Sequence, residues 1–74
     1  MTEGISIDPA VCHGKPVIAG TRVLVSTILG ALAGGYSWEE VQDDYAINPA
    51  QIAAALQFAS DMADFQVSRY DAVA

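Results

Sequence analysis

Cys12 and His13 are adjacent, and a thiol beside an imidazole is the pairing from which cysteine nucleophiles and zinc sites are built. The spacing argues against both. Structural zinc takes about four ligands at recognisable intervals, and this chain has one cysteine and one histidine. A Cys–His dyad needs the two side chains apposed, whereas neighbours in a turn diverge. Cys12 therefore reads as a small buried apolar residue. Gly14-Lys15 has the sound of a phosphate loop, but the glycine required five positions earlier is Pro9, and Pro16 follows the lysine. Proline also removes an amide that a phosphate cradle would use. Glu39, Glu40, Asp43 and Asp44 form an acidic cluster. No two of these carboxylates fall in an evident apolar pocket of the kind acid–base catalysis needs. They read as a solvated helix face suited to the helix dipole, or as a face that docks on a basic partner. The expectation is a protein that is not an enzyme, with no metal, cofactor or small-molecule substrate.

Lys15 and Arg22 are two of only three basic residues in the chain. They could touch nucleic-acid phosphate as the wing of a DNA-binding domain does. The plainer reading pairs Arg22 with a helix carboxylate or carbonyl. Two cations per chain supply little counterion release, so a monomer would bind nucleic acid weakly. The rest of the charge lies elsewhere. Residues 1–36 are balanced, with Glu3 and Asp8 against Lys15 and Arg22, while residues 37–74 set seven acids against Arg69 and hold the whole net charge of −6. Such a half repels phosphate backbones and favours a basic partner.

Seventy-four residues make one domain at most. A chain this short buries only ~60% of its unfolded surface, yet 53% of its residues are hydrophobic. Alanine in helices accounts for part of that, and a face buried against a second chain accounts for the remainder. A single cysteine cannot pair within the monomer. No basic leader with an apolar run opens the sequence, and the longest apolar run, Leu24 to Ala33, is interrupted by Ser26 and Thr27. The expectation is a cytoplasmic protein with no membrane span.

The elements that position these residues follow from local grammar. Ile5 and Ile7 alternate with polar residues as in a short half-buried strand, and Asp8-Pro9 begins a turn. Pro16-Val17-Ile18 and Thr21-Arg22-Val23 read as a small ribbon around Ala19-Gly20. Val25, Ile28, Leu29 and Leu32 share one face of a first helix over 25–33, which Gly34-Gly35 ends. Ser37 to Glu40 is a capping box, with Tyr36 and Val41 as a hydrophobic staple. It starts a helix from Trp38 to Tyr45 whose inward side holds Trp38, Val41 and Tyr45. Asn48-Pro49-Ala50-Gln51 repeats the pattern, with Ile47 and Ile52 as staple. The third helix runs to Asp64 or Phe65. Its core stripe is Ile52, Ala55, Leu56, Ala59, Met62 and Ala63, beside a second line of Ala54, Phe58 and Phe65. The fold class is mainly α with a small N-terminal β ribbon: a three-helix, helix-turn-helix-like (winged-helix-like) domain over residues 4–66, followed by a flexible tail over 67–74.

The pattern Asp8-Pro9, Cys12-x-Gly14-Lys15-Pro16-x-Ile18-x-Gly20-Thr21-Arg22-Val23 resembles the signature of the domain-of-unknown-function 433 family. So do Val25-Ser26-Thr27-Ile28-Leu29, Gly34-Gly35-Tyr36-Ser37-x-Glu39-Glu40-Val41, Asp44-Tyr45, and the run from Asn48 through Ile52, Ala55, Leu56 and Ala59. The resemblance spans about Ile5 to Ala63. It implies a helix-turn-helix or winged-helix relative of the VapB-type antitoxins, encoded beside a PIN-like ribonuclease toxin that it masks, and repressing its own operon as a dimer. Two positions depart from the family pattern: Leu24 and Ala46 stand where it usually has proline.

Two function classes follow. One is an antitoxin-like protein that binds and neutralises a PIN-like ribonuclease, with Trp38, Glu39, Asp43, Phe58 and Phe65 as the protein interface and a homodimer as its form. The other is a stand-alone transcriptional regulator that binds operator DNA through Lys15, Arg22 and Gln51. For the second, the third helix offers Asn48, Gln51 and Gln57 but no cation to base edges.

Overall fold

The computed structural model describes residues 3–65, Phe65 by its backbone alone. The expected tail over 67–74 lies outside the described residues. The elements in chain order are β1 (Ile5–Ser6), a 3-10 turn (Cys12–Gly14), β2 (Val17–Ile18), α1 (Val25–Ala33), α2 (Trp38–Tyr45) and α3 (Pro49–Phe65). Three helices and a small antiparallel ribbon are the architecture the sequence implies.

The ribbon has a different partner from the expected one. β2 pairs with β1, Ile5 opposite Ile18 and Ser6 opposite Val17. The 21–23 segment returns along the other edge of β2 without becoming a full strand. The Ile18 amide donates to the Val23 carbonyl at 2.9 Å, the Val25 amide to Pro16 at 3.0 Å, and Val17 bridges Leu24. The turn between them closes with the Thr21 amide on the Ile18 carbonyl at 3.0 Å, and Gly20 sits at φ 80°. Thr21 locks it further: its hydroxyl donates to the Ile18 carbonyl at 2.8 Å and accepts from the Val23 amide at 3.0 Å. Ile7, expected on the strand's inner face, is 59% exposed. The strand stops before it because Asp8 turns the chain, its carbonyl taking the Val11 amide at 2.8 Å and its carboxylate the Ala10 amide at 2.9 Å.

α1 starts at Leu24 with no side-chain cap. It ends in a Schellman motif: the Tyr36 amide reaches Ala31 and the Gly35 amide reaches Leu32, both at 3.1 Å. Gly35 takes φ 100°, which a side chain would resist. Both capping boxes form. The Glu40 amide donates to Ser37 Oγ at 3.1 Å and the Ser37 amide to Glu40 Oε1 at 2.8 Å. The Gln51 amide donates to Asn48 Oδ1 at 2.9 Å and the Asn48 amide to Gln51 Oε1 at 2.8 Å. Between α2 and α3 lies a three-residue turn, Ala46 to Asn48, in which Ala46 adopts φ 54°, ψ 47°.

Ile18, Val25, Ile28, Val41, Ile47, Ile52 and Ala55 form the core, with Ile5, Leu29, Leu32, Tyr45 and Phe58 packed against it. Full burial of one such aliphatic side chain contributes about 1.5–3 kcal/mol. Two expectations about facing are corrected. Trp38 is 42% exposed, although it shares a helical face with buried Val41 and half-buried Tyr45. It stands in the first turn of α2, where that face has run past its cover. On α3, Leu56 and Met62 are exposed at 38% and 56%, and Ala63 is exposed too. The buried side is instead Ile52, Ala54, Ala55, Phe58 and Ala59. For Leu56 the ribbon accounts for the change: it packs on α3 so closely that a Cβ on Gly4 would lie 3.1 Å from the Ala54 Cβ, and Met62 and Ala63 lie farther along, past that cover.

Candidate interaction surfaces

The first surface is the outer face of α2. The Ser37–Glu40 box fixes the helix start, so Glu39, Glu40, Asp43 and Asp44 are held on one exposed side within about two turns. Trp38 and Tyr36, at the N-terminal end of the same helix and just before it, are 42% and 47% exposed. Sequence reasoning placed Trp38, Glu39 and Asp43 here but overlooked Tyr36, which it assigned to the staple. An aromatic pair next to carboxylates offers apolar anchors with a charged rim, the composition by which protein interfaces bind.

The second surface is the ribbon. Arg22 is exposed and lines an open cleft of about 540 Å³ with Ser6, Val11, Val17, Gly20 and Thr21. Lys15 is exposed and lines a separate cleft. Neither makes an ion pair among the described residues, so Arg22 does not take the helix carboxylate of the plainer reading. The structure therefore separates these two cations between two clefts. Gln51, the third expected nucleic-acid contact, is half-buried, and its Oε1 is engaged in the α3 capping box. Its NH₂ group remains a donor.

The third surface is an apolar cleft of about 350 Å³ lined by Lys15, Pro16, Val25, Ser26, Leu29 and Phe58. It forms because α1 begins immediately after the ribbon, leaving a gap between the first turn of α1 and the middle of α3. Phe58, expected on a free interface line, is half-buried and forms one wall while also touching the core. Phe65 shares its helical line, but its side chain lies outside the described residues. The spacing of Leu29 gave no hint of this cleft, since the same residue satisfies the core stripe of α1.

The Cys12–His13 pair occupies a strained bend. Cys12, His13 and Gly14 all have positive φ, 50°, 60° and 82°, a conformation that costs a non-glycine residue roughly 1–2 kcal/mol. Cys12 is half-buried instead of fully buried, and its thiol donates weakly to the Arg22 carbonyl at 3.7 Å. That contact ties the bend to the ribbon's return segment. Among the described residues no three His, Cys, Asp or Glu side chains are grouped to hold a metal ion, and no polar or charged side chain is buried. Nor is any described helix long and apolar enough to cross a membrane.

Comparison with known proteins agrees with this geometry. The family described as "Protein of unknown function (DUF433)" matches residues 5–59. A curated relative from Mycobacterium tuberculosis (strain ATCC 25618 / H37Rv), named "Putative antitoxin VapB45", is 38% identical over 52 residues. The match takes in 70% of this chain and 22% of that protein, so the chain spans about a fifth of its relative's length. Among solved structures, a DUF433 member from Anabaena variabilis ATCC 29413 superposes with a TM-score of 0.76 at 27% identity, covering 93% of this chain and 68% of that one. Rv2018 from Mycobacterium tuberculosis superposes at 0.64 with 38% identity, covering 70% of this chain and 24% of that one. With three-quarters of its length inside the family match and its fold shared with a solved member, the chain belongs to the DUF433 family.

Proposed function

We propose that this protein is a non-catalytic, antitoxin-like partner of a PIN-like ribonuclease, acting in the cytoplasm. The observation that carries the reading is the 38% identity, over 52 residues, to the protein named "Putative antitoxin VapB45". The α2 face supports it: exposed Trp38 and Tyr36 beside Glu39 and Asp43 suit a nuclease whose RNA-holding surface is basic. Docking there covers the enzyme's cations with carboxylates and denies them to RNA. The protein is read as a homodimer, with Phe58 and Phe65 near the contact, and as one unit over residues 4–66. Co-expression with the product of the adjacent gene and purification on one tag tests the reading. A stoichiometric complex that relieves the neighbour's growth defect is the expected result. A harmless neighbour that does not co-purify overturns it.

A second reading is a DNA-binding regulator, either alone or as the antitoxin acting on its own operon. It draws on the exposed Lys15 and Arg22, on Gln51 at the start of α3, and on the helix-turn-helix order of α2 and α3. It expects salt-sensitive binding to the protein's own promoter. Binding that survives Lys15→Ala with Arg22→Ala removes the ribbon from the contact.

A further inference from the structure

The cleft between the start of α1 and the middle of α3 has the make-up of a ligand site. Its walls are Pro16, Val25, Leu29 and Phe58, all apolar, and its polar lining is two side chains, Lys15 and Ser26. The four apolar residues are buried or half-buried, whereas Lys15 and Ser26 are exposed. Lys15 forms no ion pair, and the Ser26 hydroxyl no hydrogen bond, with another described residue. An apolar hollow with a few convergent polar groups is how small-molecule sites are built, in volumes of about 300–1,000 Å³. At about 350 Å³ the cleft stands at the small end of that range. It has room for roughly ten non-hydrogen atoms at about 30 Å³ each.

We propose that this cleft binds a small amphipathic monocarboxylate, its hydrocarbon part against Leu29 and Phe58 and its carboxylate on Lys15 and Ser26. The proposal goes beyond the antitoxin reading and does not depend on it. The lining selects the class. A bare phosphate would use the lysine and leave four apolar walls wet. A neutral hydrocarbon would cover the walls and forgo the ammonium. A single carboxylate on an apolar body satisfies both, since it accepts from an ammonium and from a hydroxyl at once. Size selects a small molecule over a protein: a stable protein interface takes about 800 Å² from each partner, far more than a hollow of this volume presents.

Local charge decides in favour of an anion although the chain as a whole is acidic. The net charge of −6 is held on residues 37–74, and no acid among them lines the cleft, where Lys15 is the one ionisable group. Asp61, one turn past Phe58 on α3, is engaged with Gln57 Nε2 at 3.0 Å. At about 0.15 M salt, exposed charges more than about 8 Å away are largely screened, so the lysine at the rim outweighs the distant carboxylates.

Titration of the full chain with octanoate at pH 7, followed by amide NMR, tests the site. Saturable shifts are expected at Ser26, Leu29 and Phe58. Octan-1-ol, with the same chain and no charge, should bind about fivefold more weakly, the worth of one exposed ion pair, and octylammonium more weakly still. Butyrate, four methylenes shorter, should bind at least about tenfold more weakly than octanoate. Lys15→Met should raise the octanoate Kd about fivefold and leave that of octan-1-ol unchanged. Ser26→Trp should fill the cleft and abolish binding of both. Circular dichroism of both variants should match the wild type, because Lys15 and Ser26 are exposed. No saturable shift up to about 10 mM octanoate, equal affinity for octanoate and octylammonium, or binding that survives Ser26→Trp overturns the proposal. So does a Ser26→Trp variant whose sedimentation mass differs from the wild type, which assigns the cleft to a second copy instead. None of these results bears on nuclease binding, which the α2 variants below report separately.

Discussion

Ala46→Gly is expected to stabilise this protein. Ala46 closes α2 at φ 54°, ψ 47°, and its amide donates to the Gln42 carbonyl, with the Ile47 amide following onto the same acceptor at 3.2 Å. The left-handed conformation costs an alanine roughly 1–2 kcal/mol, whereas glycine enters it freely. Against this, glycine gives the unfolded chain more conformational freedom, a loss of about 0.4–1 kcal/mol. The side chain is exposed, so its methyl contributes little packing that glycine would forfeit. The net gain is therefore about 0.5–1 kcal/mol. For a domain of this size a gain of 1 kcal/mol moves Tm by about 4–8 °C, so thermal melting by circular dichroism should rise by roughly 2–8 °C. Proline, the residue the family pattern favours after Asp-Tyr, is locked near φ −65° and is expected to destabilise strongly here. If Ala46→Gly left Tm unchanged or lowered it, Ala46 would not be held at positive φ, and the reasoning about this turn would fail.

Three further outcomes are expected. Ser37→Ala and Asn48→Ala should each cost about 1 kcal/mol in urea unfolding, and the double variant should lose about the sum, because the two boxes cap different helices; clear non-additivity would mean that the helix starts are coupled. Ile52→Ala, at a fully buried core position, should cost about 2–5 kcal/mol and leave much of the chain unfolded at 37 °C, read as lost cooperativity in the melt. If the proposed nuclease complex forms, Trp38→Ala should weaken it mainly through faster dissociation, and Glu39→Lys with Asp43→Lys should slow association about tenfold at low salt and much less at 0.5 M; association rates that ignore both salt and charge reversal would remove the α2 face from the contact.

The sequence by itself determined the helices and their ends. The Ser37–Glu40 and Asn48–Gln51 boxes, the Gly34-Gly35 stop and the 25-28-29-32 face are local: each involves residues within one or two turns, so residue type and spacing suffice to specify them. Tertiary structure decided which parts of each apolar face are covered. Trp38 and Met62 have the right periodicity for the core, yet they lie where α2 and α3 extend past their neighbours. Periodicity gives the direction of a side chain and carries no information about what stands opposite it. β1 became the partner of β2 because hydrogen bonding across a ribbon joins segments distant in sequence. Its packing against Ala54 then rotated the buried side of α3 away from Leu56. The Lys15-rimmed cleft arises the same way, since its walls come from the ribbon, α1 and α3 and meet only when all three pack on one core.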